Sequence, residues 1–143
     1  MTRSPRSRAA AVVPGLLLLV ALAACGSPSD ASKDDFCKDA TAGNANTDLY
    51  DAIEAKDWTK AESLYHDQAS ALDDVGTPEG ISDKAREGFK VNVDALKDIS
   101  ADEVSKALAD GVDVVREQIK SEDLKNFEAY QKYVILTCAQ TQG

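Results

Sequence analysis

Histidine, tryptophan and methionine each occur once among the 143 residues of this chain, and cysteine occurs three times. A zinc site takes three or four histidine, cysteine or acidic ligands, and His66 is the only histidine that could contribute one. The chain also lacks a Cys-x-x-Cys pair, a glycine-rich phosphate loop and the Gly-x-Ser-x-Gly turn of serine hydrolases. These absences predict a protein that is not an enzyme and that carries no cofactor.

Apolar runs are short as well, and the most apolar segment cannot cross a membrane. Residues 9–24 are apolar or small, with a Pro-Gly interruption, over a run of 16 residues, whereas a membrane-spanning helix needs about 20. Arg3, Arg6 and Arg8 precede this run, and no acidic residue does. A basic start followed by a short apolar segment is typical of a secretory signal peptide.

The apolar run ends in Leu22-Ala23-Ala24-Cys25, which resembles the lipobox of bacterial lipoproteins. The resemblance implies that the Cys25 thiol receives a diacylglyceryl group and that the signal is cut just before Cys25. It also implies further acylation of the new terminus, with fatty acids such as palmitate. Two or more acyl chains give stable membrane anchoring. The alternative is an ordinary secretory signal in which Cys25 has no role.

Lipoprotein processing would divide the chain into a signal peptide over 1–24, a polar tether over 25–32 and a helical domain over 33–143. The signal holds three of the 16 basic residues and none of the 25 acidic ones, so the processed chain has a net charge of −12. That charge disfavours nucleic acid and favours a partner with a basic surface. We expect the protein at the extracytoplasmic face of the cell membrane, bound to an envelope protein or wall component.

Cys37 and Cys138 lie close to the two ends of the expected domain. Thiols outside the cytoplasmic membrane tend to oxidise, and a pair at opposite ends of a domain favours a bridge. A shared metal ion is disfavoured, because no histidine lies near either cysteine in the sequence. We therefore predict a disulfide between these two residues.

Hydrophobic periodicity along the domain predicts helices and no strands. Apolar residues recur every three or four positions, and no segment shows sustained alternation. Ser32, Ser82 and Ser121 are predicted helix caps, and Ser100 with Glu103 forms a capping box. Short connections favour an all-α, up-and-down bundle of four main helices after a short N-terminal helix, tied by the disulfide. The expected helices cover about 33–42, 48–55, 58–75, 83–99, 101–119 and 122–139.

Two positions interrupt this helical pattern. The pair Lys56-Asp57 predicts either a tight turn or a kink between the second and third helices. Gly111 lies inside the apolar stripe that joins Leu108, Val112 and Ile119, and glycine in a helix interior costs about 0.5–1 kcal/mol relative to alanine. Because the stripe continues on both sides of Gly111, we expect one helix through it.

A few residues are candidates for a binding or metal site. Glu62 and His66 are four positions apart on one helix face and could share a metal ion, but the pattern favours a solvated histidine on a polar face. Trp58 packs in the core or serves as an exposed binding anchor. A pocket between helices would require small facing residues, for which Gly88 and Gly111 are candidates.

Several short stretches of this chain are similar to stretches found in a group of small lipoproteins of high-GC Gram-positive bacteria. They are the lipobox, the early Asp35-Phe36-Cys37, the loop VGTPEGI at 75–81, the run AREGF at 85–89 and the late Cys138. The resemblance implies a lipid-anchored helical domain and carries no assigned activity. The sequence therefore predicts a non-catalytic binding module of the cell envelope, or alternatively a carrier of a small apolar ligand between helices.

Overall fold

The computed structural model describes residues 27–43 and 46–139, and most of its helices begin at residues suited to capping. Ser32 and Ser82 each accept a hydrogen bond from the amide three residues on, at 3.1 and 3.3 Å. Ser100 and Glu103 form the predicted reciprocal capping box. The helices are α1 (Lys33–Ala42), α2 (Thr47–Glu54), α3 (Trp58–Val75), α4 (Asp83–Asp98), α5 (Ala101–Asp110), α6 (Val114–Glu117) and α7 (Leu124–Cys138).

These helices form the predicted all-α bundle, without a strand among the described residues. The longest are α3, α4 and α7; α4 packs most extensively on α7 and also contacts α3. The apolar stripe of α4, which includes its C-cap Ile99, is buried along its whole length, from Ala85 through Phe89 and Leu96. In the described part of the chain, every helix is too short or too polar to span a membrane.

The core centres on aromatic side chains from α1, α4 and α7. Phe36 and Phe89 are almost fully buried, and their ring centroids lie 6.3 Å apart. Tyr130 meets both rings edge-on, at 6.4 and 5.8 Å, a geometry that aromatic pairs favour. The predicted disulfide is present beside this cluster and joins Cys37 to Cys138, with their Cα atoms 5.2 Å apart. The first and last helices are thereby covalently connected.

Gly88 allows α4 and α7 to approach closely. A Cβ atom built at Gly88 would lie 1.9 Å from the backbone oxygen of Asn126 and 2.9 Å from Tyr130 Cβ. The space beside this glycine is therefore filled by the backbone of α7. The expectation that Gly88 opens a pocket is wrong, because the small residue serves close helix packing instead.

The single helix expected over 101–119 is also wrong, because the chain breaks at Gly111. This glycine adopts the left-handed conformation, with φ +69°, and ends α5. Asp113 then caps a new short helix by accepting from the amides of Val115 and Arg116 at 2.9 and 3.1 Å. Glycine reaches positive φ without the steric cost that other residues incur. That low cost and the second cap together outweigh the continuous apolar stripe.

Two further helix boundaries differ from or refine the expectations. Lys56 has φ +57°, and the amide of Asp57 donates to Ala52 at 2.8 Å. This segment is therefore a turn that separates α2 from α3.

Ser121 does not cap the last helix. The chain turns through Ser121, where the Asp123 amide donates to the Lys120 carbonyl at 2.9 Å, and α7 starts at Leu124.

Candidate functional site

An open apolar groove of about 630 Å³ lies where α2, α3, α4 and α7 meet the α5–α6 connection. Leu96 of α4 and Phe127 of α7 are buried residues of its lining, and Tyr65 of α3 is half-buried there. The volume falls within the range of roughly 300–1,000 Å³ that small-molecule sites occupy. The apolar residues lining the groove include Ala40, Leu49, Ile53, Leu96, Leu108, Val112, Val114, Val115, Phe127, Val134 and Ile135.

Exposed apolar side chains concentrate at this groove. Five large apolar residues are exposed in the described part of the chain, and four of them line the groove. Tyr50 is 57% exposed and Ile135 is 67% exposed, while Leu108 and Val112 are 43% and 42% exposed. Leu136, at 61%, lies outside the lining. A contiguous apolar surface of this kind marks a binding site more often than scattered single residues do.

The break at Gly111 is what leaves this surface open. Sequence periodicity predicts that Leu108 and Val112 point into the core, whereas both are exposed at the groove. Because α5 ends at Gly111, Val112 and Asp113 lie in the connection to α6 and line the groove. Gly111 therefore does help to form a pocket, as the sequence suggested, although by ending a helix rather than by facing another small residue.

The groove carries little charge. Among the described residues that line the groove, one is charged, Asp113, and none is a lysine, arginine, histidine or cysteine. Burial raises the pKa of the Tyr65 hydroxyl above its ordinary value, and the nearby Asp113 and Tyr50 raise it further. Gln68, Asn92 and Gln131 supply neutral hydrogen-bonding groups. This lining is suited to holding an apolar group whose polar end is neutral or cationic.

Glu62 and His66 lie on one face of α3 but bind the backbone where α4 gives way to α5. His66 Nε2 donates to the Ile99 carbonyl at 2.9 Å, since a carbonyl can only accept. A Glu62 carboxylate oxygen accepts from the Ala101 amide at 2.8 Å. No group of three or more potential ligands is placed to hold a metal ion within the described ranges. These two side chains fix a helix junction.

Trp58 is the first residue of α3, where Asp57 caps the helix by accepting from the Lys60 amide at 3.1 Å. Its side chain is half-buried and packs against the core, and it does not line the groove. The residues that do form the exposed rim, Tyr50 and Ile135, were not singled out by the sequence. The sequence feature that could have identified them is an apolar residue that lies off the inward-facing stripe of its helix.

The segment expected as a free tether is bound to the domain over its described part. The Ser27 hydroxyl donates to Asp73, and the Thr77 amide donates to the Pro28 carbonyl at 2.8 Å. Lys97 donates to the other oxygen of Asp73 at 2.7 Å. Hydrogen bonds from Lys97 and then from Ser27 hold the pKa of Asp73 below its ordinary value. From residue 27 onward, the expected polar tether is therefore in contact with the domain.

The expected signal peptide, the lipobox and Cys25 lie outside the described residues, so lipid attachment at Cys25 stays a prediction. No family model matches this chain, and no curated protein or solved structure is detectably similar to it. The resemblance to small lipoproteins likewise stays a prediction that depends on the short motifs alone. Any functional conclusion must come from the chain's own residues.

Proposed function

We propose that this protein is a lipid-anchored binding module at the extracytoplasmic face of the cell membrane, without catalytic activity, and that it binds through the apolar groove. The anchor part of this proposal depends on Leu22-Ala23-Ala24-Cys25 and on the basic, apolar leader that precedes it. The disulfide between Cys37 and Cys138 is in keeping with that location, because such bonds persist outside the reducing cytoplasm.

The clustering of exposed apolar side chains carries the binding part of the proposal. Tyr50, Leu108, Val112 and Ile135 come from three separate parts of the chain and border one groove. Covering an exposed residue of this size contributes about 1.5–3 kcal/mol when burial is complete. Each of these residues is already partly buried, so several must be covered together to offset the freedom lost on association. The lining is largely apolar, and Gln68, Asn92 and Gln131 give it a few hydrogen-bonding groups, as in binding sites for apolar ligands.

The expected partner is an envelope protein or wall component with a basic surface beside an apolar group. The processed chain has a net charge of −12, and the groove itself has an acid, Asp113, and no base among its described lining residues. A basic surface on the partner raises the association rate, whereas the chain's own negative charge disfavours nucleic acid. Binding should weaken as the salt concentration rises.

Site-specific photo-crosslinking in intact cells tests this function. A photoreactive amino acid placed at Tyr50 or Ile135 should give a discrete adduct, whose mass identifies a protein, a glycan or a small molecule. The same amino acid at Leu136, which has similar exposure outside the groove, is the matched control and should give none. Equal adducts from all three positions, or none from Tyr50 and Ile135, would show that the groove is not the binding surface.

A carrier of a small apolar ligand is the second candidate, and the groove volume of about 630 Å³ favours it. A neutral ligand should be preferred to an anionic one, because Asp113 is near and no basic side chain is in the described lining. N-phenyl-1-naphthylamine and its sulfonated analogue share one aromatic framework and differ in charge. We expect the neutral dye to bind more tightly to the domain from residue 27 onward. Tighter binding of the sulfonate would argue against this carrier.

A further inference from the structure

The residues that directly follow the expected anchor are attached to the domain by three hydrogen bonds. Ser27 donates to Asp73 through its hydroxyl. Pro28 accepts from the Thr77 amide at 2.8 Å, and the Ala31 amide donates to the Thr77 carbonyl at 3.2 Å. Ala31 also forms an isolated parallel β-bridge with Pro78. The start of the described chain is thus held along the α3–α4 connection.

The surface that receives this segment is itself well fixed. Thr77 is 2% exposed, and its hydroxyl accepts from the Arg86 guanidinium at 2.7 Å. Gly76 has φ +70°, and a Cβ at this position would lie 2.1 Å from the Pro28 carbonyl oxygen. Lys97 holds Asp73 from the other side. The segment is therefore held by the backbone of buried Thr77 and by the partly exposed carboxylate of Asp73.

The attachment leaves very little chain between the domain and Cys25. Two peptide units separate Cys25 from Ser27, and two units span at most about 7.6 Å. A free spacer over residues 26–32 would instead reach roughly 20–25 Å. A lipid on Cys25 would therefore draw the surface around Ser27 to the bilayer.

We propose that the docked segment, residues 27–31, holds one face of α4 against the lipid headgroups. This inference rests on the lipid anchor in the proposed function. This membrane-facing surface consists of the exposed residues Lys90, Asp94 and Lys97, which lie together beside Ser27. The partner it fits is the bilayer surface in which the protein's own acyl chains are embedded.

Charge and geometry both suit this orientation. With Asp73 and Asp74, the residues around Ser27 comprise three acids and two lysines, so little of the −12 charge of the processed chain meets anionic headgroups. The long lysine side chains can lie along the interface with their amines at the headgroups. Asn92 and Leu96 line the groove from another side of α4, about 150° around the helix at 3.6 residues per turn. The groove would therefore stay accessible from the aqueous side.

Lysine acetylation of the lipidated protein in vesicles tests this orientation. The processed, full-length protein is reconstituted into vesicles of zwitterionic and anionic phosphatidyl lipids and treated with a membrane-impermeant acetylating reagent. Mass spectrometry then compares Lys90 and Lys97 with Lys60 on α3 and Lys132 on α7. The matched control carries a flexible ten-residue glycine–serine insertion between Gly26 and Ser27.

The insertion should raise acetylation of Lys90 severalfold and leave Lys60 and Lys132 unchanged, because it frees the surface from the bilayer without altering the domain. Lys97 should follow Lys90, with a smaller change because Asp73 already holds its amine. Equal acetylation of Lys90 in the two proteins, with fatty-acid labelling of Cys25 retained, would overturn the proposed orientation alone. Absence of fatty-acid labelling would overturn the anchor and the orientation with it.

Discussion

The α4–α7 interface and the α5–α6 connection differ in how completely they bury apolar side chains. At the interface, Gly88 brings two backbones into contact, and Phe89 and Tyr130 are at most 4% exposed. At the connection, Leu108 and Val112 remain more than 40% exposed although they continue an apolar stripe. Both regions therefore have apolar residues at helical spacing, and they differ in whether another helix covers those residues.

This difference separates residues that stabilise the fold from residues available for binding. Side chains that are already buried contribute to the free energy of folding and cannot contribute again on association. Leu108 and Val112 have a large part of their apolar surface still in contact with water. The glycine at each place explains the contrast, since Gly88 permits close packing and Gly111 ends a helix. Substitutions in the two regions should therefore affect stability very differently.

The largest expected difference is between Gly88→Ala and Gly111→Ala. A methyl group at position 88 would overlap the Asn126 backbone oxygen, so α4 and α7 must separate, at a cost of about 3 kcal/mol in the free energy of unfolding. At position 111 nothing lies within 4 Å of the new atom, and the cost is the left-handed backbone alone, about 1–2 kcal/mol. Urea unfolding measures both values. A larger loss at position 111 would contradict the assignment of the two glycines.

The next comparison uses two residues of α5 that lie one turn apart. Val104 is fully buried and Leu108 is 43% exposed. Val104→Ala should lower the free energy of unfolding by about 2 kcal/mol, from the two lost methyl groups and the cavity they leave. Leu108→Ser should cost less than about 1 kcal/mol, because only part of this side chain is buried in the free protein. Chemical unfolding at one pH checks both, and an equal or larger loss for Leu108→Ser would place that residue in the core.

The smallest expected effect concerns Tyr130, which lies in the aromatic cluster and also borders the groove. Burial raises the pKa of the Tyr130 hydroxyl well above its ordinary value. The unfolded chain therefore loses this proton first as the pH rises past about 10, which favours unfolding. Below that pH the full contribution to stability is present. Above it, this group lowers the free energy of unfolding by about 1.4 kcal/mol per pH unit.

Unfolding of the natural chain and of Tyr130→Phe at pH 8 and pH 11 measures this contribution. Phenylalanine cannot ionise, so the variant should lose less stability between the two pH values than the natural chain does. The measured quantity is the difference between the two losses, which removes the contribution of lysines and other groups that both proteins share. Identical losses in the two proteins would mean that the Tyr130 hydroxyl titrates normally in the folded state.

Features that depend on local chemistry could be predicted from the sequence. Ser32, Ser82 and Ser100 cap helices because a hydroxyl reaches the amides of the next turn wherever the helix packs. The buried stripe of α4 was predictable because its spacing matches one helix face along its full length. The disulfide was predictable because the chain has two cysteines near the ends of one domain.

Features that depend on competition between distant or neighbouring contacts could not be predicted in the same way. At Gly111, periodicity favoured one helix, while the left-handed glycine and the Asp113 cap favoured two. The docked segment at Ser27 and Pro28 requires Asp73, Gly76 and Thr77 to be held in place by the rest of the fold. The groove arises from the relative placement of all seven helices. Each helix, taken alone, does not show that these lining residues meet.

The paired substitutions Ile135→Ser and Leu136→Ser test the central claim, that the open groove is the binding surface, most directly. The residues are adjacent on α7 and similarly exposed, at 67% and 61%, and Ile135 lines the groove. Both variants should retain the stability of the natural chain within about 0.5 kcal/mol, as surface substitutions do.

Each substitution is combined with a photoreactive amino acid at Tyr50, which lines the groove from α2, and the adduct yield is measured in intact cells. Loss of about 1.4 kcal/mol of apolar contact would reduce binding about tenfold. We therefore predict that Ile135→Ser lowers the yield of the Tyr50 adduct about tenfold at limiting partner concentration, while Leu136→Ser leaves it unchanged. Equal yields in the two variants would contradict the claim that this groove binds the partner.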